Sequence, residues 1–465
     1  MALTAFRRIQ IGKEATRGTG VAATKKLVGT LTMTPSITMH SPVDERNSLA
    51  EFRRDVPVAQ GATLRFTGSA IYQQLVDFLG MALKGSVAPA SATPTGAKYD
   101  DNGIFANMTN ALDDNVVTEH SFAGFVAAQD KVYVRAAATF RAVKCTVGTT
   151  PNAAASTISA VEVSDGAGGW IAATLVRDGT LASGASLAQT GIIEFTVPST
   201  WLSDTVDGDA GFWVRFTWSG NWTAGADISE LDTVPIVTVW TFTPNLTSRN
   251  NQDAYTVEYG DDSQEFETTF GLVSALELAI TLGDVVTLNV DMFARFPSKS
   301  TFTAALSDPT VNEIVSNHLR VYIDGSWATL GNTQKSSLVM GGTVRMSTGA
   351  ASVKYADGSL DFSNFIEQRR HLEIELEMAV GADAITEYDA WVAQTLRAIR
   401  LEWTGPTLGG GNYKLTVDAI GRYTSGPEFL ADKDGQNVMR FIFQTREDSL
   451  GNEMSFVVQN NVAVL

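Results

Sequence analysis

Few side chains in this chain are of a type and spacing that could do chemistry. The most regular set is Glu373, Glu375 and Glu377, which alternate with Leu372, Ile374, Leu376 and Met378 in HLEIELEMAV. A strand turns successive side chains to opposite faces, so all three carboxylates share one face. Three like charges in a row cost stability unless that face is wet. The four histidines, His40, His120, His318 and His371, are scattered, and none has a partner at metal-ligand spacing. Cys145 lies in the apolar run AVKCTV and reads as a buried structural thiol. The glycine-rich Leu408–Asn412 segment is a turn with no helix after it to hold a phosphate. No nucleophile elbow, phosphate loop or dinucleotide fingerprint occurs. The chain therefore reads as a non-enzyme with no catalytic residues, no metal and no cofactor.

Composition narrows the classes further. The 465 residues suffice for two or three domains with full cores, and 44% hydrophobic against 18% charged content is that of a globular protein. A net charge of −17 argues against a protein that grips nucleic acid by its phosphates. It suits a surface past which DNA must move without sticking. A single cysteine excludes an internal disulfide. No apolar run approaches the ~20 residues of a membrane span, and the first residues lack the apolar core of a signal peptide. No membrane association is expected, and assembly in a cytoplasm is.

The elements that would carry the glutamates belong to a pattern found twice. Gly61–Leu83 opens as a strand, with Leu64 and Phe66 on one face, and passes directly into a helix with Ile71, Leu75, Phe78, Leu79 and Leu83 at helical spacing. Ser69 is its expected N-cap. His371–Ala398 repeats the plan, with Ile385, Trp391, Val392 and Leu396 as the apolar set of the second helix. Upstream, Lys25–Met39 matches Ser336–Ser352. Downstream, Leu272–Phe296 matches Tyr413–Thr445. Two copies of one β-rich unit, each with one helix, are expected.

Between them the character changes. KGSVAPASATPTGAK (84–98) is a small-residue linker, and six of the nine tryptophans follow before Pro244, which marks a region with its own aromatic core. Short strand candidates separated by DG, GAGG and SG turns predict an inserted β-sandwich. Core placement of Tyr133, Trp170, Trp201, Trp213, Trp218, Trp222 and Trp240 is preferred, and stacking of sugar rings on exposed aromatics is the alternative. The expected domains are 1–96 and 245–318 for the first unit, 97–244 for the insert and 319–465 for the second unit.

The N-terminal IGKEATRGTGVAATKKLVG resembles the opening of tail tube (major tail) proteins of long-tailed bacteriophages, where a GKE-T-RGT-VAAT phrase begins the chain. YGDDSQEF (259–266) and GRYTSGPEF (421–429) are similar to the same family. The resemblance spans the two units and not the insert. It implies a β-barrel or sandwich unit with one flanking helix, six units to a ring, and rings stacked into a tube that conducts DNA in the virion tail. On that reading Glu373, Glu375 and Glu377 line the lumen. The charged loop bearing Asp44, Glu45, Arg46, Glu51, Arg53, Arg54 and Asp55 reaches the next ring. Gly12, Lys13, Glu14, Arg17 and Gly18 belong to an extended arm that lies on a neighbour. The implied partners are other copies, the tail terminator, tape measure and distal tail proteins, and passing DNA. Two units per chain imply a homotrimeric, pseudo-hexameric ring, with a true hexamer as the alternative. The competing class is a carbohydrate-binding or carbohydrate-active sandwich protein.

Overall fold

The structure is a computed structural model that describes residues 6–42, 54–84, 93–112, 118–304, 306–335, 339–408 and 411–462. Among the described residues it is mostly β, with two α-helices. The body strands are β1 (Arg8–Lys13), β2 (Thr30–His40), β3 (Val56–Ser69), β4 (Thr238–Phe242), β5 (Tyr255–Gly260), β6 (Glu265–Ile280), β7 (Thr287–Ala294) and β8 (Leu319–Asp324). They continue with β9 (Val339–Ser347), β10 (His371–Ala379), β11 (Arg397–Leu408), β12 (Gly411–Tyr423), β13 (Glu428–Lys433), β14 (Gln436–Thr445) and β15 (Met454–Asn460). Helices α1 (Tyr72–Ala82) and α2 (Ala382–Val392) follow β3 and β10.

Eight strands form one antiparallel run in the order β2-β3-β7-β6-β9-β10-β14-β13. A second run has the order β8-β11-β12-β15-β4. Leu64, Phe66, Leu278 and Ile374 from the first run share one core with Leu401, Trp403, Val417 and Phe456 from the second. The body is thus a sandwich, and neither run closes into a barrel among the described residues.

The duplication is visible as strand order. The first unit contributes β2-β3-β7-β6 and the second β9-β10-β14-β13, each with its helix after the second strand in the chain. Thr67 faces Thr30 across one hairpin and Glu377 faces Gly341 across the other, so the upstream match of the two units holds. The downstream match needs correction. The counterpart of the inner half of β6 is β13, not Tyr413–Tyr423, because β12 lies in the second run from Lys414 to Ala419 and touches β14 only at its end, Gly421–Tyr423. β6 runs on without such a break, turning at Phe270, whose φ is +60°, from an outer half paired with β5 to an inner half paired with β7 and β9.

The helices differ from the expected flanking pair. α1 is buried along all eleven residues, since β15, β4 and β12 cover the side that β6 does not. Its buried carboxylate and amides find partners: Asp77 pairs with Lys25 at 2.7 Å, Gln74 accepts the Val28 amide at 2.7 Å, and Gln73 accepts the Asn312 amide at 3.3 Å. Ile71, not Ser69, precedes its first turn, and no side chain caps it. α2 buries only Ala384, Glu387 and Ala390, while Ile385 and Val392 are exposed, contrary to the apolar set expected there.

The insert is a two-sheet sandwich with a core of its own. Its strands run from Gly96–Asp101 to Asp227–Pro235. The predicted boundary at 244 is too late, because β4 pairs with β15 and sends Trp240 and Phe242 into the body core. Trp201, Trp213, Trp218 and Trp222 are buried, and half-buried Trp170 lies beneath the Arg215 guanidinium at 4.3 Å. Aromatic packing therefore accounts for the tryptophan enrichment. Arg141 fastens insert to body. It is buried, bonds Glu194 at 2.8 Å and Thr238 Oγ1 at 2.8 Å, and also donates to the Asn461 carbonyl.

Candidate assembly surfaces

Pairing across the eight-stranded run assigns side chains to its two faces. Cross-strand partners point the same way, and one face is the core. The other face carries Thr30, Thr32 and Thr34 on β2, Thr63, Arg65 and Thr67 on β3, and Asn289 and Asp291 on β7. It continues through Glu277 on β6 and Arg345 on β9 to Glu373, Glu375 and Glu377 on β10 and Arg440 on β14. The three glutamates do share one polar face, as alternation requires. They are not a bare anionic row.

Each carboxylate has a cation within reach. Arg440 bonds Glu375 at 2.7 Å and Glu428 at 3.2 Å. Lys433 bonds Glu377. Arg345 bonds Glu277 at 2.6 Å and lies 3.8 and 3.9 Å from Glu375 and Glu373. The hydrogen bond from Arg345 holds the Glu277 carboxyl below its ordinary range, and the same bond raises Arg345. A hydrogen bond to Glu375 likewise raises Arg440. Such a face is wet, rich in hydroxyls and nearly charge-balanced. Cations supplied by strands distant in sequence were not legible from the β10 alternation alone.

The expected arm is seated on the chain's own body. β1 pairs with β5 from Arg8–Gly260 to Lys13–Tyr255, so this segment is a strand and not an unpaired extension. Gly12 is needed because a Cβ there would stand 2.5 Å from the Ala22 carbonyl oxygen. Lys13 pairs with Asp253 at 2.7 Å. Glu14 is buried and accepts the Phe270 amide at 2.7 Å, the Gly18 amide at 2.6 Å and the Thr256 hydroxyl at 3.2 Å. Burial pushes its carboxyl up, against those hydrogen bonds. Arg17 donates to the Gln252 carbonyl at 2.9 Å and lies over Phe365 at 5.1 Å. Gly18 has φ +77° and presents its carbonyl to Arg295 at 3.1 Å. The GKE-T-RGT residues thus brace the left-handed turn at Phe270 where β6 changes layers. These contacts are all made within the one chain.

Of the charged loop, Asp44, Glu45, Arg46, Glu51 and Arg53 lie outside the described residues. Arg54 and Asp55 are exposed, and Asp55 accepts a hydrogen bond from Ser41 across the two strands. These strands form a long hairpin. Lys354 donates to the Gln60 carbonyl at 3.1 Å and Gln60 bonds Asp361 at 2.7 Å, which braces the hairpin midway. Beyond that brace Ile37, Met39, Val56 and Val58 each keep about half their surface in water.

The ends of the eight-stranded run are the last feature. Among the described residues β2 pairs only with β3, and β13 only with β14. These two open edges are counterparts of β9 and of the inner half of β6. Inside the chain that same pair meets, Ala275 facing Ser347 through to Ile280 facing Gly342. No protein-family model matches the chain, and no curated protein matches it.

Proposed function

We propose that this chain is a self-assembling structural subunit of a phage tail tube, closing into rings that stack around a channel for DNA. One observation carries the reading: the β6–β9 joint has its two halves exposed again at the ends of the run, as β13 and β2. An open strand edge is a template for pairing, and a head-to-tail contact that repeats one rotation closes into a ring. In the joint that would form, Leu31–Ser36 of β2 stands where Gly342–Ser347 stands inside the chain. The polar face supports the same reading. Lining a channel with hydroxyls and paired charges leaves no basic patch to hold phosphates. The rings would be homotrimers with six units, and the insert would project at three places.

Negative-stain microscopy of the purified protein tests this directly. Rings or tubes are expected. Dispersed single particles at high concentration would reject the proposal and favour the sandwich-protein alternative.

A further inference from the structure

Helix α2 stands where α1 stands, one unit later. Each is eleven residues long, and two residues separate each from the strand before it. Position by position, Ala70 corresponds to Val380, Leu75 to Ile385 and Ala82 to Val392. The first of each pair is 0% exposed, while Val380, Ile385 and Val392 are 42%, 44% and 60% exposed. All six are apolar, so only the cover differs. The cover of α1 comes from the second run. Tyr72 packs on Tyr413 with ring centroids 5.6 Å apart, and Asn460 donates to the Tyr72 carbonyl at 2.7 Å. A Cβ at Gly405 would stand 2.8 Å from the Tyr72 ring.

The covering sheet has a counterpart too. Leu319, Trp403, Leu415 and Val458 face one another in a row across β8, β11, β12 and β15. In the first unit β1, β5, the outer half of β6 and the strand Ser298–Ser300 repeat that order, and the row is Ile9, Tyr259, Phe266 and Lys299. The spacing from Ile9 to Leu319 is that from Tyr72 to Ala382. Trp403, Leu415 and Val458 are buried, whereas Tyr259 is half-buried, Phe266 is 37% exposed and Lys299 is exposed. One chain therefore carries a bare helix face and a bare covering row, counterparts of two surfaces that meet inside it. Charge agrees with this match. Ile385, Asp389 and Val392 share one face of α2. Asp389 is exposed in the last turn, where the helix dipole disfavours a carboxylate and no basic residue stands. Lys299 lies beside Phe266 in the covering row. We infer that α2 is covered by the outer half of β6 and the Ser298–Ser300 strand of the next copy in the ring. Ile385 and Val392 then meet that copy's Tyr259 and Phe266, and Asp389 meets its Lys299. This inference rests on the ring reading above and adds to the joined strand edges a second surface between the same two chains. α1 packs on β6, the strand that joins β9, so helix cover and strand joint lead to one neighbour. The contact is heterologous and so repeats around a closed ring.

The test is a charge exchange: Asp389→Lys, Lys299→Asp, and both in one chain. Both positions are exposed, so neither substitution strikes the core. Sedimentation velocity over a dilution series follows ring formation, and thermal melting follows the fold of the single chain. Each single variant places like charges in the contact. The concentration at which half the chains are in rings should then rise about tenfold or more. The double variant should return to the parent value. Asp389→Lys also removes a carboxylate from the negative end of a helix, so its single chain should melt no lower than the parent. That readout separates a lost contact from a lost fold. Single variants that assemble at the parent concentration would overturn the inference. So would a double variant that assembles no better than the singles, because the two charges would then not meet. If the unmodified protein forms no rings at all, it is the ring reading that fails, and this inference falls with it.

Discussion

At the scale of single residues, Glu265 is the group least at ease in the body. It is 3% exposed, and neither carboxylate oxygen has a hydrogen-bond partner. Pairing of Glu258 with Glu267 and of Gly260 with Glu265 puts three carboxylates on one side of the β5–β6 ladder. Glu258 takes the available donors, the Thr303 amide at 2.9 Å and hydroxyl at 2.6 Å. Burial first, then the charges of Glu258 and Glu267, push the Glu265 carboxyl up to about 7. A raised acid binds its proton more tightly folded than unfolded. Stability should therefore fall as pH rises from the ordinary carboxylate range through 7, and level off above. Glu265→Gln keeps the shape without the charge. It should flatten that slope and stabilise the chain at pH 8 by about 1–2 kcal/mol, after a discount for solvent screening. Urea unfolding at pH 5 and pH 8 measures both, and an unchanged slope in the variant would place the titration elsewhere.

At the scale of elements, the first halves of the two units were readable because their signals are local. A period of two that gives way to helical spacing identifies β3–α1 and β10–α2, whatever they pack against. The second halves were not. Which strand lies beside β14 depends on a break between Tyr423 and Glu428, and its counterpart is a turn at Phe270 that an ordinary side chain rarely adopts. The amphipathic reading of α1 failed for a similar reason. Its polar residues are covered by strands more than 150 positions later, with Lys25 and Val28 supplying partners. Glu14 and Arg17 were singled out in sequence, but their task, bracing the Phe270 turn, depends on contacts about 235 to 256 residues away. The insert shows the same limit at its boundary, since aromatic richness ran past the last insert strand into β4. That difference makes a prediction. Removing residues 93–235 and joining the ends with a short Gly/Ser linker should leave a folded body that still assembles. Removing 98–244 strips β4 from β15 and opens the core at Trp240 and Phe242, large side chains whose loss costs about 3–5 kcal/mol each. The longer deletion should be insoluble or melt far lower by calorimetry. Equal behaviour of the two would mean that β4 contributes nothing to the body.

At the scale of the whole molecule, one chain already contains the joint that a ring would repeat. Its eight-stranded run is two four-strand units joined edge to edge, and that joint fixes the rotation from one unit to the next. A ring that repeats the rotation must alternate joints within chains and joints between chains. The units are not identical. α1 is enclosed by the second run while α2 leaves Ile385 and Val392 exposed, and only the first unit carries the insert. Chain symmetry is therefore half the unit symmetry. A ring of six units, as the resemblance to tail tube proteins implies, would hold three chains. Native mass spectrometry of isolated rings should give three times the 49.8 kDa chain mass. A mass of six chains would mean that the internal joint is not the template for the one between copies, and that both units act as halves of a single wall segment.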